Sequence, residues 1–202
     1  MPARRRNARG EGARLRADLL AGAQRILERT GNEDDVSLRA VAREVGVSAP
    51  SIYAHFPDSG AMVDALVAEA FQEFTTLLAQ AHAQAPPEQR LLAICRAYIT
   101  FGTDHPERYL TLFGRRRTTQ PRHPFADSKG ADAFTILSDT IAESFGVTPE
   151  LAVHDATLLW AGLHGYVTLR AGSPGFPWFG SDDDICRALV ERAALVAQHR
   201  QM

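Results

Sequence analysis

Hydrophobic side chains recur every three or four positions along most of the sequence, and alternating strand-like patterns are hard to find. Leu15, Leu19, Ala23 and Ile26 mark the first such stretch, which predicts a helix over residues 12–29. The same periodicity predicts about nine helices in all. Their expected ranges are 12–29, 37–45, 48–55, 59–84, 87–103, 107–113, 131–145, 148–171 and 182–198. The expected fold class is therefore all-α.

Glycines and capping residues separate the first predicted helices. Gly31 and Gly46 are expected to end the first and second helices, because glycine readily adopts the left-handed backbone conformation. Ser37 and Ser48 are the predicted N-caps of the second and third helices. Pro50 falls in the first turn of the third helix, where its missing N–H costs nothing. The pattern thus predicts two short helices joined by a tight turn.

Two short helices can cross closely only if a small residue lies where their backbones meet. Within residues 37–56, Ala42 is that residue, Gly46 is free to form the turn, and Ile52 supplies an apolar contact. This spacing is typical of the helix-turn-helix motif, whose second helix enters the major groove of DNA. A plain pair of core helices would show the same spacing, so both interpretations stay open at this point.

The surroundings of the motif resemble the tetracycline-repressor (TetR) family of bacterial transcriptional regulators over residues 12–70. The family's Tyr-x-His-Phe signature is matched by Tyr53, His55 and Phe56. The resemblance implies that Tyr53 and His55 contact the DNA backbone and the groove edge. It also implies a homodimeric repressor that binds palindromic double-stranded DNA. A small-molecule effector would release the DNA by tilting the helix over 59–84.

Two positions depart from the family pattern. Where the family carries a Lys and an acidic residue at the start of the long helix, this sequence has Ser59 and Gly60. The family's usual phosphate contact therefore lacks its lysine. The amides at the N-terminus of that helix are still expected to be available to a phosphate.

The predicted DNA-contacting residues lie on and around the third helix. The N-terminal end of a recognition helix faces base edges, where Ser48 and Ser51 can form hydrogen bonds and Ala49 and Pro50 offer only apolar contact. The full predicted set is Ser37, Arg39, Ser48, Ala49, Pro50, Ser51, Tyr53 and His55. The third helix carries no Arg or Lys, so guanine readout must be weak or come from elsewhere. A solvated helix face explains Arg43 at least as well as a phosphate contact does.

The second half of the chain contains Trp160-Ala161-Gly162-Leu163-His164-Gly165. This stretch resembles the Trp-His-Gly signature of one C-terminal domain type of the family, which implies a helical domain that dimerises and holds a ligand. Gly162 and Gly165 would leave a groove for close approach of another helix or a ligand. Together with a final-helix face of Ile185, Leu189, Ala193 and Val196, this helix would form a four-helix bundle across a two-fold axis.

Three domains are expected: a basic disordered arm over 1–11, a DNA-binding domain over 12–58, and a ligand-binding and dimerisation domain over 59–202. The ligand cavity is expected to be mostly aromatic, since pockets between helices are largely apolar with a few polar groups. Its predicted lining is Tyr98, Phe101, Tyr109, Phe113, Phe134, Leu137, Trp160 and His164. Each of these residues taken singly could equally be core. For His164 a dimer-interface hydrogen bond, a ligand anchor and a satisfied core histidine all stay open.

Composition and charge narrow the classes of protein. The chain has 202 residues, of which 45% are hydrophobic and 23% charged, as in soluble globular proteins. No apolar run approaches the ~18 residues of a membrane span, and no secretory signal follows Met1, so a cytoplasmic protein is expected. The net charge is only -2, but residues 1–16 hold six Arg against one Glu. Such an arm suits either contact with phosphates or a solubilising terminus.

Sequence signatures of catalysis are absent: HExxH, GxSxG, GxGxxG and the phosphate-binding GxxxxGK[ST] do not occur. Cys95 and Cys186 are isolated in apolar helical patterns, and no two mid-domain histidines have metal-binding spacing, so neither a metal nor a cofactor is expected. We therefore expect no enzyme. A DNA-binding dimer without an effector is the first alternative, and a small-molecule-binding helical protein or an enzyme is a weaker one. Arg115-Arg116-Arg117 and Arg122 would form either an anion-binding lid over the cavity or a solvated loop.

Overall fold

A computed structural model describes residues 11–113, 130–173, 175–178 and 180–201 of the chain. Within these ranges the chain forms nine α-helices and no strand, which confirms the all-α fold class. The helices are α1 (Glu11–Thr30), α2 (Leu38–Val45), α3 (Ala49–Tyr53), α4 (Ser59–Gln84), α5 (Arg90–Asp104), α6 (Pro106–Phe113), α7 (Ala131–Phe145), α8 (Pro149–Gly172) and α9 (Asp182–Gln201). Short 3-10 turns cover Glu33–Asp35 and Pro87–Gln89.

The chain divides into two compact units, Met1–Glu69 and Ala70–Met202, and the boundary falls inside α4. In the first unit, α1, α2, α3 and the first part of α4 close over one apolar core. In the second unit, α5 to α9 and the rest of α4 supply a larger core that includes both cysteines. The predicted basic arm lies almost wholly outside the described residues, as do Arg115 to Arg117 and Arg122.

Two predicted helices differ from the structure at their ends. The helix expected over 87–103 begins as a 3-10 turn, in which the Gln89 N–H donates to the Pro86 carbonyl at 2.9 Å, and α5 starts only at Arg90. The helix expected over 48–55 is shorter, because its end also tightens into an i to i+3 bond. There the His55 N–H donates to the Ile52 carbonyl at 2.8 Å.

A buried ion pair joins α8 to α9. Arg200 donates through Nη1 to both carboxylate oxygens of Asp155, at 2.7 and 2.9 Å. Asp155 is almost completely buried, and a buried carboxylate needs a charged or hydrogen-bonded partner. This contact holds the last turn of α9 against α8.

Gly102 lets α5 pass close to α8. A Cβ placed on Gly102 would lie 2.4 Å from Cγ1 of Val167 and 3.1 Å from the ring of Tyr109. We expect Gly102→Ala to lower the free energy of unfolding by about 1–3 kcal/mol, because valine is stiff and overpacking strains a dense core. Urea unfolding followed by circular dichroism measures this change.

Gly165→Ala is the matched control on α8, because a Cβ at that position meets no atom within 4 Å. It should leave stability unchanged or raise it by up to about 1 kcal/mol through helix propensity. Adding Val167→Ala to Gly102→Ala should recover part of the loss. If the double variant is less stable by the full sum of the two single changes, steric conflict with Val167 is not the cause.

Candidate functional sites

The α2–turn–α3 pair follows from capping and a left-handed turn. The Oγ of Ser37 accepts the backbone N–H of Ala40 at 3.1 Å, so the predicted cap of α2 is confirmed. Gly46 has a φ of 76°, which a side chain would strain. Ala42 and Ile52 are buried in the core of the first unit. The pair is therefore fixed in position, and the outer face of α3 remains open.

Ser48 occupies the N-cap position of α3, but its side chain makes no capping hydrogen bond to the backbone. The prediction of a side-chain cap is wrong for a local reason. A capping oxygen accepts the N–H of the second or third helical residue, and the second residue here is Pro50, which has none. The Ser48 Oγ instead lies 2.8 Å from the Oγ of Ser51.

The residues predicted to contact DNA lie within the first unit, at or near the surface. Tyr53 is 56% exposed, far more than a core tyrosine would be. Ser37, Arg39, Ser48 and Pro50 are exposed as well. Ala49, Ser51 and His55 are half-buried. Phe56, in contrast, is buried, as expected for the apolar residue of the Tyr-x-His-Phe signature.

The N-terminus of α4 is already occupied by a side chain. The carboxylate of Asp58 accepts the backbone N–H of Ala61 at 2.7 Å. A carboxylate is favoured at a helix N-terminus, where it satisfies an unpaired amide. The expectation that these amides are all available to a phosphate is therefore wrong for Ala61.

Arginines of the first unit fall into two groups. The Glu44 carboxylate accepts hydrogen bonds from Arg25 Nε at 3.1 Å and from an Nη of Arg29 at 3.4 Å, and the Arg25 bond is the main cause of a lowered Glu44 pKa. Glu44 also lines a polar groove of about 410 Å³ with Arg29 and Arg43. Arg39 and Arg43 make no ion pair with any described residue. These two arginines are the cations of this unit that are best able to meet phosphates.

The second unit contains the predicted aromatic cluster. Rings of Tyr98, Tyr109, Phe113, Trp160 and His164 contact one another with centroid separations between 4.8 and 6.4 Å. Phe134 reaches the cluster through an edge contact to Trp160, and Phe101 reaches it through Phe74. Leu137 lies in the same core. The structure thus brings the eight predicted lining residues into one region of the unit.

Four polar groups form a hydrogen-bonded chain through this cluster. The indole N–H of Trp160 donates to the Tyr98 hydroxyl at 3.1 Å. The Tyr98 and Tyr109 hydroxyls are 2.9 Å apart, and the Tyr109 hydroxyl is 2.6 Å from Nδ1 of His164. Burial raises the pKa of both tyrosines, that of Tyr109 to about 12, and lowers the pKa of His164. All four groups are therefore uncharged at neutral pH.

Two further members of the cluster, Phe71 and Phe74, were not predicted to belong to it. Phe74 is 2% exposed and packs against Tyr98, Phe101 and Phe113. Phe71 makes an edge contact to Phe113. Their spacing of three residues on α4 was the available signal, because it places both rings on one helix face. The cluster therefore includes the second part of α4.

Comparison with known proteins identifies the class. The sequence model described as "Bacterial regulatory proteins, tetR family" matches residues 19–66, and the one described as "Tetracyclin repressor-like, C-terminal domain" matches residues 91–193. The fold and the helix-turn-helix pair thus define a helix-turn-helix transcriptional regulator. The chain belongs to the TetR family. No described helix is long and apolar enough to cross a membrane.

Individual relatives agree with this assignment. The chain is 27% identical over 155 residues to the HTH-type transcriptional regulator Rv0681 of Mycobacterium tuberculosis, covering 77% of this chain and 69% of that protein. A solved protein of unknown function from Rhodococcus sp. RHA1 is 29% identical, with a TM-score of 0.72 over 90% of this chain and 94% of the other. The transcriptional regulator FadR of Bacillus subtilis, solved with stearoyl-CoA, shares the fold at 11% identity and a TM-score of 0.65, covering 88% and 97% of the two chains.

Proposed function

We propose that this chain is a homodimeric repressor that binds a palindromic operator through α3 and releases it when a small lipophilic or aromatic effector enters the second unit. The observation that carries the DNA-binding half is the open outer face of α3. Tyr53 is 56% exposed there although the helix is anchored through the fully buried Ile52. A large aromatic side chain left in solvent beside a buried anchor suits an external partner.

Dimerisation is supported by apolar side chains that the second unit leaves in solvent. Leu151, Leu158 and Leu169 of α8 are exposed and lie on one helical face, since they are seven and eleven residues apart. Leu195 and Val196 of α9 are exposed too. A second copy would cover both faces in a four-helix bundle, as family members pair.

The dimer face differs from the one expected from spacing alone. Ile185 and Leu189 of α9 pack against the core of their own unit. Gly162 serves that packing as well, because a Cβ on it would lie 2.9 Å from Cδ2 of Leu189. The expected groove at Gly162 is thus filled by α9 of the same chain. The proposed interface therefore uses Leu195 and Val196 instead.

Effector release is supported by where the aromatic cluster touches α4. Phe71 and Phe74 carry the cluster onto the second part of that helix, whose first part belongs to the DNA-binding unit. A ligand that separates these rings would favour a different tilt of α4. The two recognition helices would then leave the spacing of about 34–36 Å that successive major grooves require, and DNA would weaken effector binding by the same factor.

A DNA-binding dimer without an effector is the second candidate function. The close contacts among the cluster rings, with centroids 4.8 to 6.4 Å apart, favour it, since a filled core needs no ligand. The polar chain through the same cluster favours the effector, because an entirely structural core is simplest without such groups.

Tyr53→Ala tests the DNA-binding proposal. We expect about a 10- to 100-fold loss of affinity for the operator, because one contact is lost in each of two protomers. The thermal unfolding midpoint and the dimer mass from light scattering should not change, since the side chain is largely exposed. Tyr53→Phe is the matched variant and should keep the part of the affinity that the ring supplies. Dissociation of the Tyr53→Ala dimer would show that this tyrosine is structural.

A further inference from the structure

The hydrogen-bonded chain of the second unit has a fixed direction. An indole N–H can only donate, so the Tyr98 oxygen must accept from Trp160 at 3.1 Å. Tyr98 is 3% exposed, and its own O–H finds an acceptor in the Tyr109 oxygen, 2.9 Å away. Tyr109 in turn donates to Nδ1 of His164 at 2.6 Å. Each hydroxyl in this arrangement donates once and accepts once.

The reverse direction leaves a buried donor unsatisfied. If Nδ1 of His164 donated to Tyr109, then Tyr109 would donate to Tyr98, and Tyr98 would accept from both Tyr109 and Trp160. The O–H of Tyr98 would then have no acceptor among the described residues. Buried donors without partners are costly, so the forward direction is favoured. His164 is therefore an acceptor at Nδ1, and its proton is on Nε2.

The Nε2–H of His164 ends the chain. It has no hydrogen-bond partner among the described residues, and the imidazole lies between the rings of Tyr109, Phe113 and Trp160. The ring neighbours are uncharged. A bound carboxylate would lose its hydration there without gaining a cation, whereas a neutral carbonyl needs only one donor.

We propose that the Nε2–H of His164 anchors a neutral carbonyl oxygen of an aromatic effector, and that Tyr98 and Tyr109 are positioning residues that hold this histidine in its donor form. The proposal rests on the proposed effector function of the second unit. It resolves the three roles left open for His164 in favour of a ligand anchor. The ligand class is a flat aromatic ketone, aldehyde, ester or amide.

Three naphthalenes of similar size test the anchor with the full-length protein. 2-Acetylnaphthalene carries the carbonyl, 2-isopropenylnaphthalene replaces its oxygen by a CH₂ group, and 2-naphthoate carries a charge. Titration calorimetry should show the ketone binding about five- to tenfold more tightly than the hydrocarbon, as expected for one hydrogen bond. His164→Phe should remove this preference while keeping an aromatic ring. The naphthoate should bind more weakly than the ketone.

The role of Tyr109 is tested by a spectroscopic signal that packing alone does not set. In ¹⁵N NMR spectra, His164 should be protonated at Nε2 in the wild-type protein. Tyr109→Phe should convert it to a mixture of tautomers and reduce the preference for the ketone. Tyr166→Phe is the matched control, because Tyr166 donates to Asp182 at 2.6 Å and lies outside the chain. It should leave both readouts unchanged.

The outcomes separate this proposal from the one on which it rests. Equal affinity for the ketone and the hydrocarbon, or protonation of wild-type His164 at Nδ1, overturns the anchor while ligand binding by the second unit stands. Tightest binding of the naphthoate overturns the neutral-carbonyl class. If none of the three naphthalenes binds, the core is closed, and both the anchor and the effector function are rejected.

Discussion

Ser48→Asp is expected to weaken operator binding by about 100-fold or more while the protein remains as stable as the wild type. Ser48 is exposed at the start of α3, and Asp is as good an N-cap residue as Ser. The new carboxylate would also interact favourably with the helix dipole. In the complex, however, each protomer would bring a negative charge against a groove lined by phosphates. Fluorescence anisotropy with labelled operator measures the affinity, and thermal unfolding measures the stability.

Thr148→Asp is the matched control for the added charge. Thr148 is the N-cap of α8 in the second unit, is exposed, and likewise makes no side-chain capping bond. The same change in charge should leave operator binding within about twofold of wild type, because exposed charges far from the DNA are screened by salt. If both variants lose affinity equally, total charge and not the face of α3 governs binding. If Ser48→Asp binds normally, this end of α3 does not face DNA.

Phe74→Ala is expected to lower the free energy of unfolding of the second unit by about 3–5 kcal/mol. The ring is 2% exposed and packs against three other aromatic rings, so its removal leaves a cavity that rigid neighbours cannot fill. Both tryptophans, Trp160 and Trp178, belong to this unit. Tryptophan fluorescence during urea unfolding, at fixed protein concentration, therefore reports on the unit directly.

Phe176→Ala is the control for Phe74→Ala. Phe176 is 56% exposed and touches mainly the ring of Trp178 at a centroid distance of 4.8 Å. Its loss should cost less than about 1 kcal/mol. A similar cost for the two phenylalanines would mean that the aromatic cluster does not hold the second unit together.

Local signals in the sequence predicted the helices and the helix-turn-helix pair well. Ser37, Gly46 and the range of α4 follow from rules that involve only neighbouring residues, namely capping, positive φ and hydrophobic spacing. Ser48 shows where such a rule fails: Pro50 removes one of the N–H groups that a cap requires. The failure could itself be anticipated from the two residues together.

Contacts between distant helices could not be predicted in the same way. Spacing showed that Phe74 and Leu189 are apolar, but not which neighbour each would face, because that depends on how each helix is rotated. The aromatic lining was predicted as a set, and the structure brings its members together. The order of the chain from Trp160 to His164 depends on atomic distances across three helices, which no pattern along the sequence encodes.

The central claim is that two protomers bind one palindromic site. The most direct test is an anisotropy titration of full-length protein with the palindromic DNA upstream of its own gene, at 50 and 200 mM salt, beside a scrambled duplex. The account predicts tight binding at two protomers per site and a loss of about 10³- to 10⁵-fold in affinity between the two salts, as for proteins with 6–10 phosphate contacts. Equal affinity for the palindrome and the scrambled duplex would contradict it.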